Sequence, residues 1–274
     1  MRATRPPVGE MLRDWRSRRH LSQLDLALEA GVSARHLSFV ETGRSKPSAH
    51  LLAGLAEHLE MPLRERNGLL LAAGFAPAFS QHDLADPELG PVRNAIDRLL
   101  DAHAPCPALV LDRHWGIVGA NAAVAVLTEG AAPHLLEPPV NALRLSLHPE
   151  GMAPRIVNLG EWRSHILDAL GRRAVVSGDP ALSALHDELL AYPGGGGEGA
   201  PDPEVAEIAT PLRLRHGDGE LAFISTATRF GTAVDVTVSE LTIESFLPAD
   251  PATARLLRQE AAAAALAASP PSGG

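Results

Sequence analysis

Val8, Met11, Leu12 and Trp15 recur at helical spacing, and Glu10, Arg13, Asp14, Arg16, Arg18 and Arg19 fill the polar positions around them, which predicts a first amphipathic helix. Ser22 then fits an N-cap. Leu24, Ala27 and Leu28 form the apolar face expected of a short second helix, with Gly31 where a left-handed C-terminal residue is wanted. Ser33 fits the next cap, and Leu37 and Val40 give a third helix a buried stripe that leaves Arg35, His36, Ser38 and Phe39 outward. Thr42-Gly43 stops it. Ser48 caps a fourth helix carrying Leu51, Leu52, Leu55 and Leu59, and Pro62 opens a fifth carrying Leu63, Leu69 and Leu70. Five short helices predict a small all-α domain.

A sixth helical pattern (Val92, Ile96, Leu99, Leu100) over residues 86–102 reads as a connector, and the character changes at Ala104-Pro105-Cys106-Pro107. The apolar runs 108–111 and 116–120 around Asp112-Arg113-His114-Trp115 predict a strand pair joined by a tight turn, after which Asn121 is placed to cap a helix. Helical periodicity returns over 159–170 and 180–190, and the glycine-rich run 194–199 predicts a flexible loop. Residues 212–215 and 220–226 flank His216-Gly217-Asp218-Gly219, a hairpin signal. Residues 234–238 alternate with period two and predict another strand, with Leu241 and Ile243 resuming out of phase across a bulge near Ser239-Glu240. A terminal alanine-rich helix is expected over 251–268 and a disordered tail over 269–274.

The expected organisation is therefore multidomain: an all-α five-helix domain over 1–78, a connector helix over 79–103, an α+β domain with an antiparallel sheet over 104–250, and a C-terminal helix and tail over 251–274. A chain of 274 residues is long enough for two cores. No apolar run reaches the roughly 18 residues that a bilayer span needs, and the N-terminus lacks a secretory h-region, so a cytoplasmic protein with no membrane partner is expected. Cys106, the single cysteine, has no intramolecular partner.

The net charge of −9 argues against a nucleic-acid partner until it is divided along the chain. Residues 1–76 carry 11 Lys and Arg against 8 Asp and Glu, leaving 13 against 25 for the rest. Only the N-terminal third suits phosphates. There the run LSQLDLALEAGVSARHLSFVETGRSKPS resembles, position by position, the helix-turn-helix of the XRE family that includes the phage repressors. That motif needs a capped short helix, a glycine turn and a recognition helix able to enter a major groove.

The resemblance implies duplex DNA as partner. It makes Gln23 a contact to phosphate and to the recognition helix, and puts Ser33, Ala34, Arg35, Ser38 and Phe39 at groove-facing positions. The fork of Arg35 suits two acceptors on a guanine edge, and Phe39 suits a thymine methyl or, alternatively, a dimer surface. Arg44 and Lys46 fall where backbone phosphates are contacted, and Arg16 and Glu41 where an ion pair often joins the first and third helices. A plain helical interaction bundle is the alternative. Because one recognition helix reads only a few base pairs, a homodimer on a partly palindromic site is expected.

The runs SARHLSFVETGR, MPLRERNGLLLAAGFAPAF, ALVLDRHWGIVGANAAV, NALRLSLHP and LSALHDELLAYP resemble the MmyB-like regulators, which join this helix-turn-helix to a PAS-like ligand-binding domain. The glycine-rich loop departs from that group's aromatic-rich segment. The resemblance implies a PAS-like sheet with helices over one face and a cavity associated with fatty-acid-like ligands. Asn141, Arg144 and His148 are close enough in sequence to anchor a ligand at a cavity mouth, with Arg144 placed either to grip a carboxylate or to form a salt bridge inside the domain. Trp115 and Trp162 suit a ligand platform or a core.

Enzyme chemistry finds no local signature, so no catalytic residue, cofactor or metal is expected. A self-cleaving repressor needs a Ser–Lys pair, but the only lysine is Lys46. Neither GxSxG nor GxGxxG stands where a strand meets a helix, and no two of the twelve histidines lie within five residues of each other. A metal built from distant residues, a domain that only dimerises, and an unrecognised activity stay open as alternatives.

Overall fold

The computed structural model describes residues 7–194 and 210–268. The predicted loop beyond Gly194 and the predicted tail 269–274 lie outside them. The chain divides into two compact units, Met1–Asp86 with Gly231–Ser239, and Pro87–Phe230 with Glu240–Gly274.

The N-terminal segment of the first unit forms, among the described residues, α1 (Val8–Arg18), α2 (Gln23–Glu29), α3 (Ala34–Glu41), α4 (Ala49–His58) and α5 (Leu63–Ala72). Three of their starts are closed by serine hydroxyls that accept a backbone N–H otherwise left without a helical partner. Ser22 accepts from Asp25 in a reciprocal capping box, Ser33 from His36 and Ser48 from Leu51. Gly31 takes φ 65°, as the turn before α3 requires. Leu12, Trp15, Leu26, Leu37, Val40, Leu52, Leu55 and Leu69 meet in the core. Gly9 lets α1 approach α3 closely, because a Cβ there would stand 2.4 Å from the Glu41 carbonyl oxygen.

The inner face of α2 differs from the sequence expectation. Leu26 and Ala27 are buried, whereas Leu24 and Leu28 are 66% and 80% exposed. The cause is Gln23, half-buried at the start of the helix, whose amide bonds to Glu41 and turns the Gln23, Leu26, Ala27, Ala30 face inward.

The second unit contains α6 (Gly90–Ala102) and strands β1 (Ala108–Leu111), β2 (Ile117–Ala120), β3 (Leu212–His216), β4 (Gly219–Arg229) and β5 (Thr242–Pro248). They form one antiparallel sheet in the order β2-β1-β5-β4-β3. Helices α7 (Ala125–Thr128), α8 (Ala142–Leu147), α9 (Leu159–Ser177) and α10 (Pro180–Ala191) contribute Leu127, Leu145, Trp162, Leu170 and Leu189 to a core shared with Leu109, Leu212, Phe223 and Phe246 of the sheet. The fold of this unit is α+β.

Two local expectations fail. Asn121 does not cap the helix after β2; its amide oxygen accepts from the Ala108 N–H, and its amide nitrogen donates to the carbonyls of Leu100 and Cys106. Residues 234–238 are not a strand: Val236–Glu240 is α11, and the Asp235 carboxylate accepts the N–H groups of Thr237 and Val238. A side-chain cap overrides β-branched alternation here. No bulge is needed either, since β4 and β5 keep unbroken register from Phe223↔Pro248 to Arg229↔Thr242.

Residues 231–239 belong to the first unit, where the Asp235 carboxylate meets His82 Nδ1 at 2.8 Å and Val236 donates its N–H to the Ser80 carbonyl. A last helix, α12 (Pro251–Ala268), follows β5.

Candidate DNA interface and ligand cavity

In the first unit the polar side chains of α1, α2 and α3 converge on one buried carboxylate. Glu41 is 2% exposed, takes a two-pronged pair from Arg16 (2.7 and 2.9 Å) and accepts 2.8 Å from the Gln23 amide. Burial pushes this carboxyl up, but the hydrogen bonds of Arg16 and Gln23 and the charges of Arg16 and Arg13 outweigh it and hold Glu41 below its ordinary value. The angle between α2 and α3 is thus set by a network as well as by leucines.

Outside this network α3 and the loop after it present three exposed cations, Arg35, Arg44 and Lys46. Phe39 is half-buried, with the Arg35 guanidinium 5.4 Å and the Arg44 guanidinium 5.9 Å from its ring centre. The loop after α3 is stitched back to it, the N–H groups of Arg44 and Ser45 both donating to the Phe39 carbonyl. Ser33, Arg35, Arg44 and Lys46 are exposed, and Ala34 and Ser38 half-buried. Ser33 is the α3 cap, and Gln23 has its amide committed to Glu41.

The second unit encloses an apolar cavity of about 300 Å3 between the sheet and α7–α9. Trp115 and Trp162 both line it. Trp115 sits at φ 62°, a left-handed conformation that costs roughly 1–2 kcal/mol in an L-residue. The Asp112 carboxylate sustains the turn by accepting from the His114 and Gly116 N–H groups at 2.7 Å each. Trp162 donates its indole N–H to Ser146 Oγ at 3.0 Å and stacks on His165.

The polar wall consists of groups that sequence reasoning missed: Thr128, Ser146, His165, Ser225 and Glu244. Ser225 donates its hydroxyl to Glu244 at 2.6 Å, and burial drives the Glu244 carboxyl above its usual range, outweighing that bond. The legible signal was a period-two stripe, Thr242, Glu244, Phe246, with a carboxylate inside an otherwise apolar strand.

Asn141, Arg144 and His148 lie elsewhere. Asn141 caps α8 and donates to the His114 carbonyl, and neither it nor Arg144 nor His148 is among the lining residues. Arg144 forms a two-pronged pair with Glu188, both distances 2.7 Å, and Tyr192 donates to the same carboxylate. That pair commits the guanidinium inside the unit. His148 packs edge-on against Tyr192, and ligand-type atoms of His134, His148 and Glu150 come within 4.8 Å of one another.

The family model described as "MmyB-like transcription regulator ligand binding domain" matches residues 92–259, which hold the whole cavity lining. The chain belongs to the MmyB-like transcription regulators. The helix-turn-helix model matches residues 12–66 of this MmyB-like regulator, spanning most of α1 and all of α2, α3 and α4. The chain thus joins a helix-turn-helix to the ligand-binding domain of this regulator family. No curated protein matches the chain. A solved chain described as "Structure of an RNA-binding Light-Oxygen-Voltage Receptor" aligns at 19% identity over 94% of this chain and 63% of its own, with a TM-score of 0.27. No helix among the described residues is long and apolar enough to cross a membrane.

Proposed function

We propose that this MmyB-like regulator binds a partly palindromic duplex as a homodimer, reads base edges with α3, and changes its DNA affinity when a fatty-acid-like molecule fills the cavity of the second unit. The observation that carries the DNA reading is the α3 surface, where two guanidinium groups flank one half-buried ring beside the exposed Ser33 and Lys46. Arg35 is the base reader in this reading, Ser33, Ala34, Ser38 and Phe39 meet the groove around it, and Arg44 and Lys46 hold phosphates. Gln23, anchored on Glu41, presents the start of α2 to the backbone.

The ligand reading is carried by a wall in which leucines, tryptophans, Ile166 and Met152 surround a volume at the lower end of small-molecule sites. Sensing requires more than filling that space: a ligand shifts DNA binding only as far as its affinities for the DNA-competent and incompetent states differ. The test is a titration of selected operator DNA with the full chain, with and without saturating medium-chain and long-chain fatty acids. A changed DNA Kd is expected. An unchanged Kd with ligand demonstrably bound overturns sensing, and a monomer that retards no duplex at micromolar concentration overturns the operator reading.

A further inference from the structure

The lining of the cavity contains a carboxyl group, Glu244, and neither Arg nor Lys, so an acyl carboxylate has no cation within the lining itself. The nearest candidates follow from the periodicity of the two elements that build the walls. On α9, Trp162, Ile166 and Ala169 line the cavity, and one turn beyond Ala169 on the same helix face comes Arg173. On β4, Ser225 and Ala227 line the cavity, and the next residue on that strand face is Arg229. Both stripes end in a guanidinium.

Arg173 is half-buried, its guanidinium 4.5 Å from the ring centre of Trp115, which lines the cavity. Among the described residues it has neither a hydrogen bond nor an ion pair. Burial lowers its pKa, and repulsion from Arg229 lowers it further. Glu240, Asp112 and Asp179 act in the opposite direction without forming an ion pair with it, and Asp112 is occupied by two backbone N–H groups, Asp179 by His114, Arg113 and the start of α10. Opposite Arg229 in the sheet stands Thr242, whose buried hydroxyl oxygen has no partner among the described residues. Two like charges gathered beside an unmet hydroxyl, with no carboxylate paired to the inner guanidinium, are arranged for an anion.

We propose that Arg173, with Arg229 beside it, holds the carboxylate of an alkyl carboxylic acid whose chain occupies the cavity. The assignment rests on the reading of the cavity as an acyl site. It places the head group beyond Ala169 and Ala227, at the Trp115 end, one residue pair along that sheet face past Glu244, which stands opposite Ala227 and whose carboxyl is pushed toward the neutral form by burial. The alkyl chain then runs along Trp162 and Ile166. Two charge-assisted hydrogen bonds from a guanidinium to a carboxylate fix orientation as well as affinity.

The test uses the full chain and two probes of equal length, dodecanoate and dodecanol, titrated against Trp fluorescence at neutral pH. Wild type is expected to prefer the acid by roughly 10- to 100-fold, the range for hydrogen bonds to a charged group. Arg173→Lys should keep a preference of several fold, while Arg173→Gln should bring the two probes within about threefold of each other, with dodecanol binding little changed. An acid preference that survives Arg173→Gln overturns the anchor. So does a wild type that binds the two probes equally, which leaves the acyl cavity standing. If Arg173→Gln loses dodecanol as well as dodecanoate, Arg173 belongs to the wall and the anchor is again overturned. If neither probe binds the wild type, the acyl reading itself fails and takes the anchor with it.

Discussion

Removing Arg16 tests how far the DNA-binding unit depends on its buried network. Arg16→Met keeps most of the aliphatic length but leaves Glu41, 2% exposed, without the two-pronged partner at 2.7 and 2.9 Å. Breaking a buried pair from one side costs about 3–5 kcal/mol, and the surviving Gln23 bond at 2.8 Å together with Arg13 at 3.8 Å puts this case near 3 kcal/mol. In a unit of this size that corresponds to a fall in Tm of roughly 12–24 °C. The double variant Arg16→Met, Glu41→Leu removes the stranded charge and should recover much of the loss.

The same network predicts an acid limit. Glu41 is held below its ordinary value of 4.5, so its contribution is fully present above about that pH and is lost as the pH falls through the lower folded value. Urea denaturation by circular dichroism, with amide exchange of α1–α3 to isolate the first unit, measures both effects. A single variant within 0.5 kcal/mol of wild type, the ordinary range for surface changes, refutes the reasoning. A double variant no better than the single also refutes it.

Arg35→Ala is expected to relax preference at one base position at a cost of about 1–3 kcal/mol, whereas Lys46→Ala should weaken all sequences alike and flatten the salt slope by about one unit. Binding-site selection and salt titration check this, and equal effects of the two variants on every sequence would reverse the assignment. Glu244 carries a carboxyl raised by burial, so its stabilising contribution is present below its ordinary value of 4.5 and lost as the pH rises through the folded value. Glu244→Gln should therefore match wild type in acid and exceed it in urea resistance at neutral pH; an identical difference at both pH values counts against a buried acid.

Much of the helical unit was legible because its signals are local. A serine cap, a glycine at the turn and leucines three and four apart act within one turn of helix, and Ser22, Ser33, Ser48 and Gly31 all stand where those rules place them. The inner face of α2 was misread because Gln23 is held inward by Glu41, 18 residues away, which no local rule contains. The same reason explains Val236–Glu240: alternating valines score as a strand until Asp235 closes a helix start. At the cavity, Trp115 and Trp162 stood out by type, but Ser225 and Glu244 become a pair only once β4 and β5 are in register. Arg144 was singled out by proximity in sequence, and its partner Glu188 lies 44 residues on.

Coupling between ligand and DNA has a thermodynamic signature that does not depend on the route. If the acyl ligand changes the operator Kd by some factor, operator DNA must change the ligand Kd by the same factor, because both describe one coupling free energy. The chain offers a covalent path: β4 and β5, which carry Ser225, Ala227, Glu244 and Phe246 of the cavity wall, are joined through residues 231–239 of the first unit. A typical coupling of 1–3 kcal/mol is about a 5- to 150-fold effect in each direction. Ligand titrations of the free protein and of the preformed operator complex give one factor, and DNA titrations with and without ligand give the other. Equal factors different from one are expected. Equal factors of one reduce the cavity to storage, and unequal factors mean that the ligand acts on the DNA or on oligomer assembly through a further equilibrium that sensing within one complex does not contain.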